Sequence, residues 1–522
     1  MLKKLHGRKL AVCLIGGAIY ALFSAFGWQA EHGGVIWAGG ALLVAALLVW
    51  PIAALLAVLL ERGYTRALRQ EKTFRAGRAF AFILACYVPM FCVAFPGSFA
   101  YDVPYQLRQV VTGAYSTHHP LLHTLALGGL LQLGRALGDI NLGAALYTAL
   151  QMALLAGCFA LTCGSIARQS GARAAKRAAV FFALYPLNMV MAVNATKDVL
   201  FGGFFALTLA LLNEIREKPS RGLALKIAAC GALAVMLRNN MAYAALVWLA
   251  LLTLGLRKAE KSAALAMLLA LAVGLCGNAA LKHATRAESG DMSEMLSWPI
   301  QQLARARLYD EERLTDAEKE AIDELMPGEA WACYDPTISD PVKFEFDTQA
   351  FRADVKKYVG VWLSVGKKCA GTYLDATMAL TYPFFYPYRE YRVSGYYVQM
   401  GMSDAYDAGW CDFDPPESRS LFPRALASLS WRFGAKGAMQ IPVVGWLFNM
   451  GVIVWTMLFF ALREMYWGRW RRFGTALLPV LLWGTFLLGP VMAGRYIYPF
   501  VCALPVLAAR PGRSVKEAER HG

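Results

Sequence analysis

Apolar runs of membrane-crossing length recur along this chain, and that recurrence limits what it can fold into more than any other feature. A helix needs about 20 consecutive, mostly apolar residues to cross a bilayer core. Runs that meet or approach this length cover 9–27, 34–60, 78–95, 142–167, 178–194, 199–213, 223–237, 241–256, 262–280, 440–461, 474–490 and 496–509. They predict an all-α polytopic protein of about twelve spans. The first run lacks a small-residue cleavage site and more spans follow it, so it reads as a retained anchor and not as a signal peptide. Composition agrees: 57% of the residues are hydrophobic, 17% are charged and mean hydropathy is +0.41. Soluble domains carry about a quarter charged residues. Eleven cysteines among 522 residues are too few for a disulfide scaffold.

The net charge of +16 fits nucleic-acid binding or cytoplasmic loops equally well until it is placed along the chain. One run, 121–137, is apolar enough to count as a span but contains His123, Gln132 and Arg135. If it crosses, the basic loop with Arg168, Arg173, Lys176 and Arg177 falls outside; if it lies on the outer face, every basic loop falls inside. The second arrangement gives twelve spans with both termini cytoplasmic. The inner segments then carry 29 Lys and Arg against 8 Asp and Glu, the short outer segments 5 against 4, and a long insertion at 281–439 carries 18 against 24. The surplus therefore records topology, and nucleic acid drops out as a partner.

Three regions follow: a transmembrane part at 1–280 with a first outer loop at 96–141, an extracytoplasmic helical domain at 281–439, and C-terminal membrane helices with a cytoplasmic tail at 440–522. In the insertion, 294–309 is amphipathic, and Thr315 with Glu318 has capping-box spacing. Apolar residues recur at helical intervals through 351–380, where Gly366 and Gly371 offer breaks. Cys333, Cys369 and Cys411 would lie in an oxidising compartment, with one pair bridged and a third left over.

Polar chemistry collects in the outer turns. The first loop reads Phe95-Pro96-Gly97-Ser98-Phe99-Ala100-Tyr101-Asp102, then Gln106, then Ser116-Thr117-His118-His119-Pro120. Asp102 is the sole acid between Glu71 and Asp139. It can take a proton from an acceptor or help hold a divalent metal, or simply start a helix in solvent. His119 and His123 share a helix face by spacing, but nothing nearby completes a metal set. Hydrogen bonding to phosphate or sugar, or plain packing, fits them better. Lys197 and Asp198 sit in a very short turn and either pair with each other or bind a ligand, Lys197 a lipid phosphate and Asp198 a sugar hydroxyl. Arg238-Asn239-Asn240 and Gly494-Arg495-Tyr496 add two guanidinium groups, whose planar fork suits phosphate.

Pro96-Gly97 followed by Asp102, Gln106 and His119-Pro120 resembles the first outer loop of the GT-C superfamily of polytopic glycosyltransferases, which includes protein O-mannosyltransferases and the aminoarabinose transferase of lipid A. Thr196-Lys197-Asp198, Leu237-Arg238-Asn239, the stretch from Pro299 through Gln301 and Gln302 to Arg305, and Gly494-Arg495-Tyr496-Ile497-Tyr498-Pro499 resemble a bacterial family of unknown function allied to it. The resemblance spans roughly residues 85–500. It implies transfer of a sugar from a polyprenyl phosphate to an envelope acceptor, outside the bacterial cytoplasmic membrane. By the same resemblance Asp102 is the catalytic or acceptor-activating acid, Asp198 an auxiliary one, and Lys197, Arg238 and Arg495 bind phosphate; His118, His119, Gln106, Asn239 and Tyr496, in or beside the same outer turns, are further candidate binding groups. The chain departs from the better-known members in having His-His-Pro for His-Pro-Pro and no acid paired beside Asp102. A transporter or flippase of a lipid-linked precursor is the alternative, since twelve spans suit it too.

Overall fold

The computed structural model describes residues 2, 5–33, 37–62, 74–99, 102–253, 258–388, 416–434 and 441–510. Among these the regular structure is helical, and the few β-type contacts are isolated bridges between loops. In chain order the helices are α1 (Arg8–His32), α2 (Ala38–Arg62), α3 (Ala76–Ala94), α4 (Asp102–Thr112), α5 (Leu121–Ala136), α6 (Ile140–Ser170), α7 (Ala172–Leu184), α8 (Pro186–Ala192), α9 (Lys197–Glu217), α10 (Arg221–Leu237), α11 (Asn239–Thr253) and α12 (Lys258–Thr285). A second group follows with α13 (Ser297–Tyr309), α14 (Asp316–Leu325), α15 (Asp340–Lys343), α16 (Thr348–Ala353), α17 (Val355–Lys368) and α18 (Ala370–Thr381). The chain closes with α19 (Pro423–Gly434), α20 (Met450–Tyr466), α21 (Trp470–Leu487) and α22 (Tyr498–Ala508).

Six helices among the described residues are long and apolar enough to cross a membrane: α1, α2, α3, α6, α9 and α12. This is a membrane protein by the character of those helices and of their surfaces. Leu42, Leu43, Leu47 and Leu55 of α2 are exposed, as a bilayer permits and water does not. The remaining runs form shorter pieces. The run at 178–194 is broken at Tyr185, where Pro186 has no amide hydrogen to continue the ladder and instead opens α8. The run at 440–461 turns helical only from Met450, after a 3₁₀ turn at Val444–Leu447. The last run likewise begins with a 3₁₀ turn, Gly494–Ile497, before the 11 residues of α22.

The bundle forms around α9, whose sides are covered by α6, α10 and α22. Small residues allow the closest crossings, as expected where no water drives association. Between α1 and α2 the seam is Ala21, Ala25, Ala41 and Ala45, and a Cβ on Gly17 would stand 2.6 Å from the Val49 carbonyl oxygen. Helix α6 has 31 residues, about 46 Å at 1.5 Å per residue, so it outruns a core of about 30 Å. Its start is capped by Asp139, which accepts from the Asn141 amide, and Gly171 ends it at φ 88°. Helix α5 lies along only the first turns of α6: Leu127 and Leu131 pack with Ala144 and Tyr147, and Gly134 abuts Gly143.

The insertion is a compact helical unit over 292–384 with its own core of Ile300, Leu303, Ile322, Leu325, Val342 and Val365. The Thr315 and Glu318 capping box forms in both directions. Gly366 and Gly371 do not break the helices; both lie inside them, and the chain breaks at Asp354 and Cys369. Gly366 serves close packing, since a Cβ there would meet the Tyr373 ring at 2.8 Å. Cys333 and Cys369 are free thiols, so the expected bridge does not join them, and Cys411 lies outside the described residues. Residues 416–434 return to the bundle: the Arg419 and Leu421 amides donate to the Phe95 and Cys92 carbonyls beside α3.

The hairpin of α5 and α6 is tight enough to test. A Cβ on Gly143 would lie 2.2 Å from the Leu130 carbonyl oxygen, whereas one on Gly157 of the same helix meets nothing within 4 Å. Gly143→Val should lower the unfolding midpoint of solubilised protein by about 3 °C or more, since overpacking costs about 1–3 kcal/mol. Gly157→Val should leave the midpoint near its original value.

Candidate functional site

The turns at one end of the bundle bring distant residues together. Asp102 is the first residue of α4, and Lys197 and Asp198 are the first two of α9. Arg238 is the C-cap of α10, and Arg495 sits in the 3₁₀ turn that precedes α22. Both carboxylates therefore lie at helix N-termini and Arg238 at a C-terminus, the placements that helix dipoles favour. Hydrogen bonds between Ser98 and the 193–195 turn hold the first loop against the start of α9: the Ser98 amide donates to Val193 at 2.8 Å, and the Ala195 amide donates to the Ser98 carbonyl at 2.7 Å.

Arg495 grips Asp102 with two nitrogens, Nη1 to Oδ2 at 2.8 Å and Nη2 to Oδ1 at 3.4 Å. Lys197 Nζ stands 3.4 Å from the same Oδ2 and 3.2 Å from His119 Nδ1. Asp198 Oδ1 takes Arg238 Nε at 2.6 Å and Nη2 at 2.5 Å, while its Oδ2 accepts from the Thr196 hydroxyl at 3.2 Å and faces Arg495 Nε at 3.9 Å. Arg238 also lies against the parallel rings of Tyr496 and Phe486, at 4.5 and 5.0 Å. The two carboxylates and Arg238 are buried, and Asp198 has no exposed side-chain surface. Among the described residues of the cluster three cations meet two carboxylates, a formal excess of one positive charge. Of the three cations Lys197 has the longest nearest contact, 3.2 Å against 2.8 Å for Arg495 and 2.6 Å for Arg238 Nε, and is the one most readily redirected.

Burial pushes the Asp102 carboxyl upward, but the Arg495 and Lys197 charges outweigh it and hold the group well below the usual carboxylate range. Asp102 is thus anionic and, while so paired, a weak base. Burial, reinforced by Lys197, drives His119 well below the ordinary imidazole value. A lysine can only donate, so Nδ1 of neutral His119 accepts and Nε2 carries the hydrogen.

The remaining candidates divide. Gln106 is buried one turn beyond Asp102 and bonds to His123 and Thr124. His118 is half-exposed and points to Glu294 of the insertion at 4.0 Å. Asn239 is exposed and has no described contact with the cluster; its neighbour Asn240 instead donates to Thr485. Ala100 and Tyr101 lie outside the described residues. Gln301, Gln302 and Arg305 bind within the insertion, to the Asp335 carbonyl, to Thr377, and to Tyr334 with Asp375. Sequence reasoning missed Tyr147 and Gln151, four residues apart in an apolar helix. That polar pair on one face was the available signal.

Among the described residues no three His, Cys, Asp or Glu converge as a metal-binding group. The acids of the cluster are committed to cations, so this arrangement does not fit a divalent ion.

Fold and site together define a helical membrane protein with a buried, ion-paired polar cluster at one end of its bundle. The chain belongs to the family described as "Family of unknown function (DUF6020)", whose model matches residues 111–521. No curated protein and no solved structure matches it.

The cluster should sense acid in a defined direction. An unfolded imidazole titrates near 6.5, whereas folded His119 resists protonation, so the unfolded chain takes up the proton first as pH falls. Stability present above pH 6.5 is then lost progressively below it. Asp102 acts in the same direction further down, its contribution fading as pH falls below 3.8. His119→Asn should flatten the first loss: between about pH 7 and about pH 5 its unfolding midpoint should fall less than that of the parent. Equal slopes would mean that His119 is not held neutral.

Proposed function

We propose that this protein is a membrane glycosyltransferase that moves a sugar from a polyprenyl-phosphate donor to an acceptor at the outer face of a bacterial cytoplasmic membrane. The observation that carries the reading is the meeting of Asp102 with Lys197 and Arg495 at one end of the bundle. In the twelve-span arrangement favoured by the charge bias, that end faces outward. The excess of cations over carboxylates among the described residues suits a phosphodiester, and the aromatic rings of Tyr496 and Phe486 flank the cations.

The donor phosphate takes Lys197 and Arg495 as its ligands, with Arg238 held in reserve on Asp198. Drawing those two cations from Asp102 raises its affinity for a proton at the moment the donor is in place. The acceptor oxygen or nitrogen then attacks the anomeric carbon, and its proton passes to Asp102. The bond from that carbon to the phosphate oxygen breaks with its electron pair, and the polyprenyl phosphate leaves with its new negative charge against Lys197 and Arg495. The sugar inverts in this single displacement.

A transporter or flippase of the lipid-linked precursor is the second reading, favoured by the broken helix at Tyr185 and Pro186. Detergent micelles have no leaflets, so an enzyme would transfer sugar there and a flippase would not.

The assay is transfer from a labelled decaprenyl-phosphate sugar to envelope acceptors by micelle-solubilised protein. Asp102→Asn should lower kcat by about 100-fold or more. Arg495→Lys, which keeps the charge and loses the fork, should mainly raise the donor KM. Undiminished turnover in Asp102→Asn would remove that residue from the chemistry.

A further inference from the structure

Behind the charged cluster runs a continuous chain of buried polar side chains through α4, α5 and α6. Gln106 Nε2 lies 2.9 Å from His123 Nδ1 and 3.0 Å from the Thr124 hydroxyl. His123 Nε2 lies 2.8 Å from the Tyr147 hydroxyl, which reaches Gln151 Oε1 at 3.0 Å. Gln151 Nε2 ends the chain on two backbone carbonyls, Ala192 at 3.0 Å and Asn194 at 2.7 Å. All four side chains are buried, so none can exchange a lost partner for water.

The order of the hydrogens is fixed from the far end. Gln151 must aim its NH₂ at the two carbonyls, which leaves Oε1 facing Tyr147. Tyr147 must donate to that oxygen, so its own oxygen accepts from His123 Nε2–H. His123 Nδ1 is then bare and takes a hydrogen from Gln106, with the amide oxygen of Gln106 3.1 Å away. Every link has one donor and one acceptor. One end of the chain is a single turn from Asp102; the other holds the carbonyls just before Thr196, Lys197 and Asp198.

We propose that Gln106, His123, Tyr147 and Gln151 act as a positioning relay that fixes Asp102 relative to Lys197 and Asp198, and thereby sets the turnover of the site. The proposal rests on the glycosyltransferase reading for its kinetic effect, but its structural effect can be read without any substrate. Tyr147→Phe keeps the ring and removes the link, stranding His123 Nε2–H and Gln151 Oε1. Gln106→Met, of similar shape, removes the link at the other end.

The test uses the full-length protein in nanodiscs. Hydrogen exchange in Tyr147→Phe should rise about tenfold in peptides covering 98–107 and 193–199, where the Ser98 and Ala195 amides clip the two loops together. Peptides covering 300–306 and 321–326 in the insertion core should be unchanged. With the labelled decaprenyl-phosphate sugar, kcat should fall about 100-fold while donor KM moves less than threefold, as expected for misplacement on the scale of an ångström. Gln106→Met should reproduce both changes and stands in if Tyr147→Phe does not fold. Unchanged exchange at both loops overturns the relay, as does raised exchange with unchanged kcat. If the parent transfers no sugar but the variants loosen both loops selectively, the glycosyltransferase reading falls and the coupling of the loops stands.

Discussion

Two buried carboxylates and the cations that neutralise them are the constraint on which the polar end of this molecule depends. A charge taken out of water is costly unless partners replace its hydration. Asp102 and Arg495 are 393 residues apart, and Asp198 and Arg238 are 40 apart, yet neither acid could be buried without its partner. The ends of α4, α9, α10 and α22 are therefore held to one meeting point, with Arg495 reaching both acids. Hydrophobic packing along the bundle fixes how the helices lie side by side. The charge cluster fixes their heights, because a shift of one turn would separate a carboxylate from its guanidinium.

The insertion braces the same point from the side. Its first residues pair with the loop before His119, where Glu288 exchanges backbone hydrogen bonds with Tyr115 and Thr117. Further on, Ile338 bridges to Val491, the Ser339 amide donates to the Pro490 carbonyl, and Trp298 Nε1 donates to the Leu487 carbonyl. Those contacts hold the strand of chain that leads into Arg495. Gln301, by holding the Asp335 carbonyl, stiffens the turn that carries Ile338. A unit with its own core thus spans the two segments that deliver His119 and Arg495, so its rigidity passes to the site although its side chains mostly do not.

Particular residues show how far sequence could lead. The Thr315 and Glu318 cap is a local pattern with a local cause and formed, whereas the apolar runs became helices of which six among the described residues are long and apolar enough to cross a membrane. Asp102, Lys197, Asp198, Arg238 and Arg495, scattered through some 400 residues, converged because each sits at or beside a helix terminus at the same end of the bundle. Partner choice was the part hidden from sequence. Lys197 and Asp198 are adjacent and invite pairing, but successive residues on a helix point about 100° apart. Once Thr196 starts α9, Lys197 faces Asp102 and His119 while Asp198 faces Arg238. Hydropathy was equally blind to the break at Tyr185, because proline costs a run little apolarity while ending a helix outright. Gly366 and Gly371 misled in the opposite direction: glycine permits a break but also permits close packing, and Gly366 lies against the Tyr373 ring.

The same distances that make the cluster stable also decide what it can do. Oriented cations are costly to assemble when a ligand arrives, and here the carboxylates hold them in place beforehand. That arrangement carries its own restraint, because Asp102 cannot be both the anchor of Arg495 and Lys197 and a strong base. Only an anion that takes those cations away can restore its basicity. On the proposed reading, binding of a phosphate and activation of the carboxylate become one event, because the phosphate draws off the cations that hold Asp102 anionic. While both cations stay on Asp102, the carboxylate is held anionic and weakly basic. Lys197, whose nearest contact is the longest of the three cations and which is shared with His119, is the group that the proposed exchange would move first.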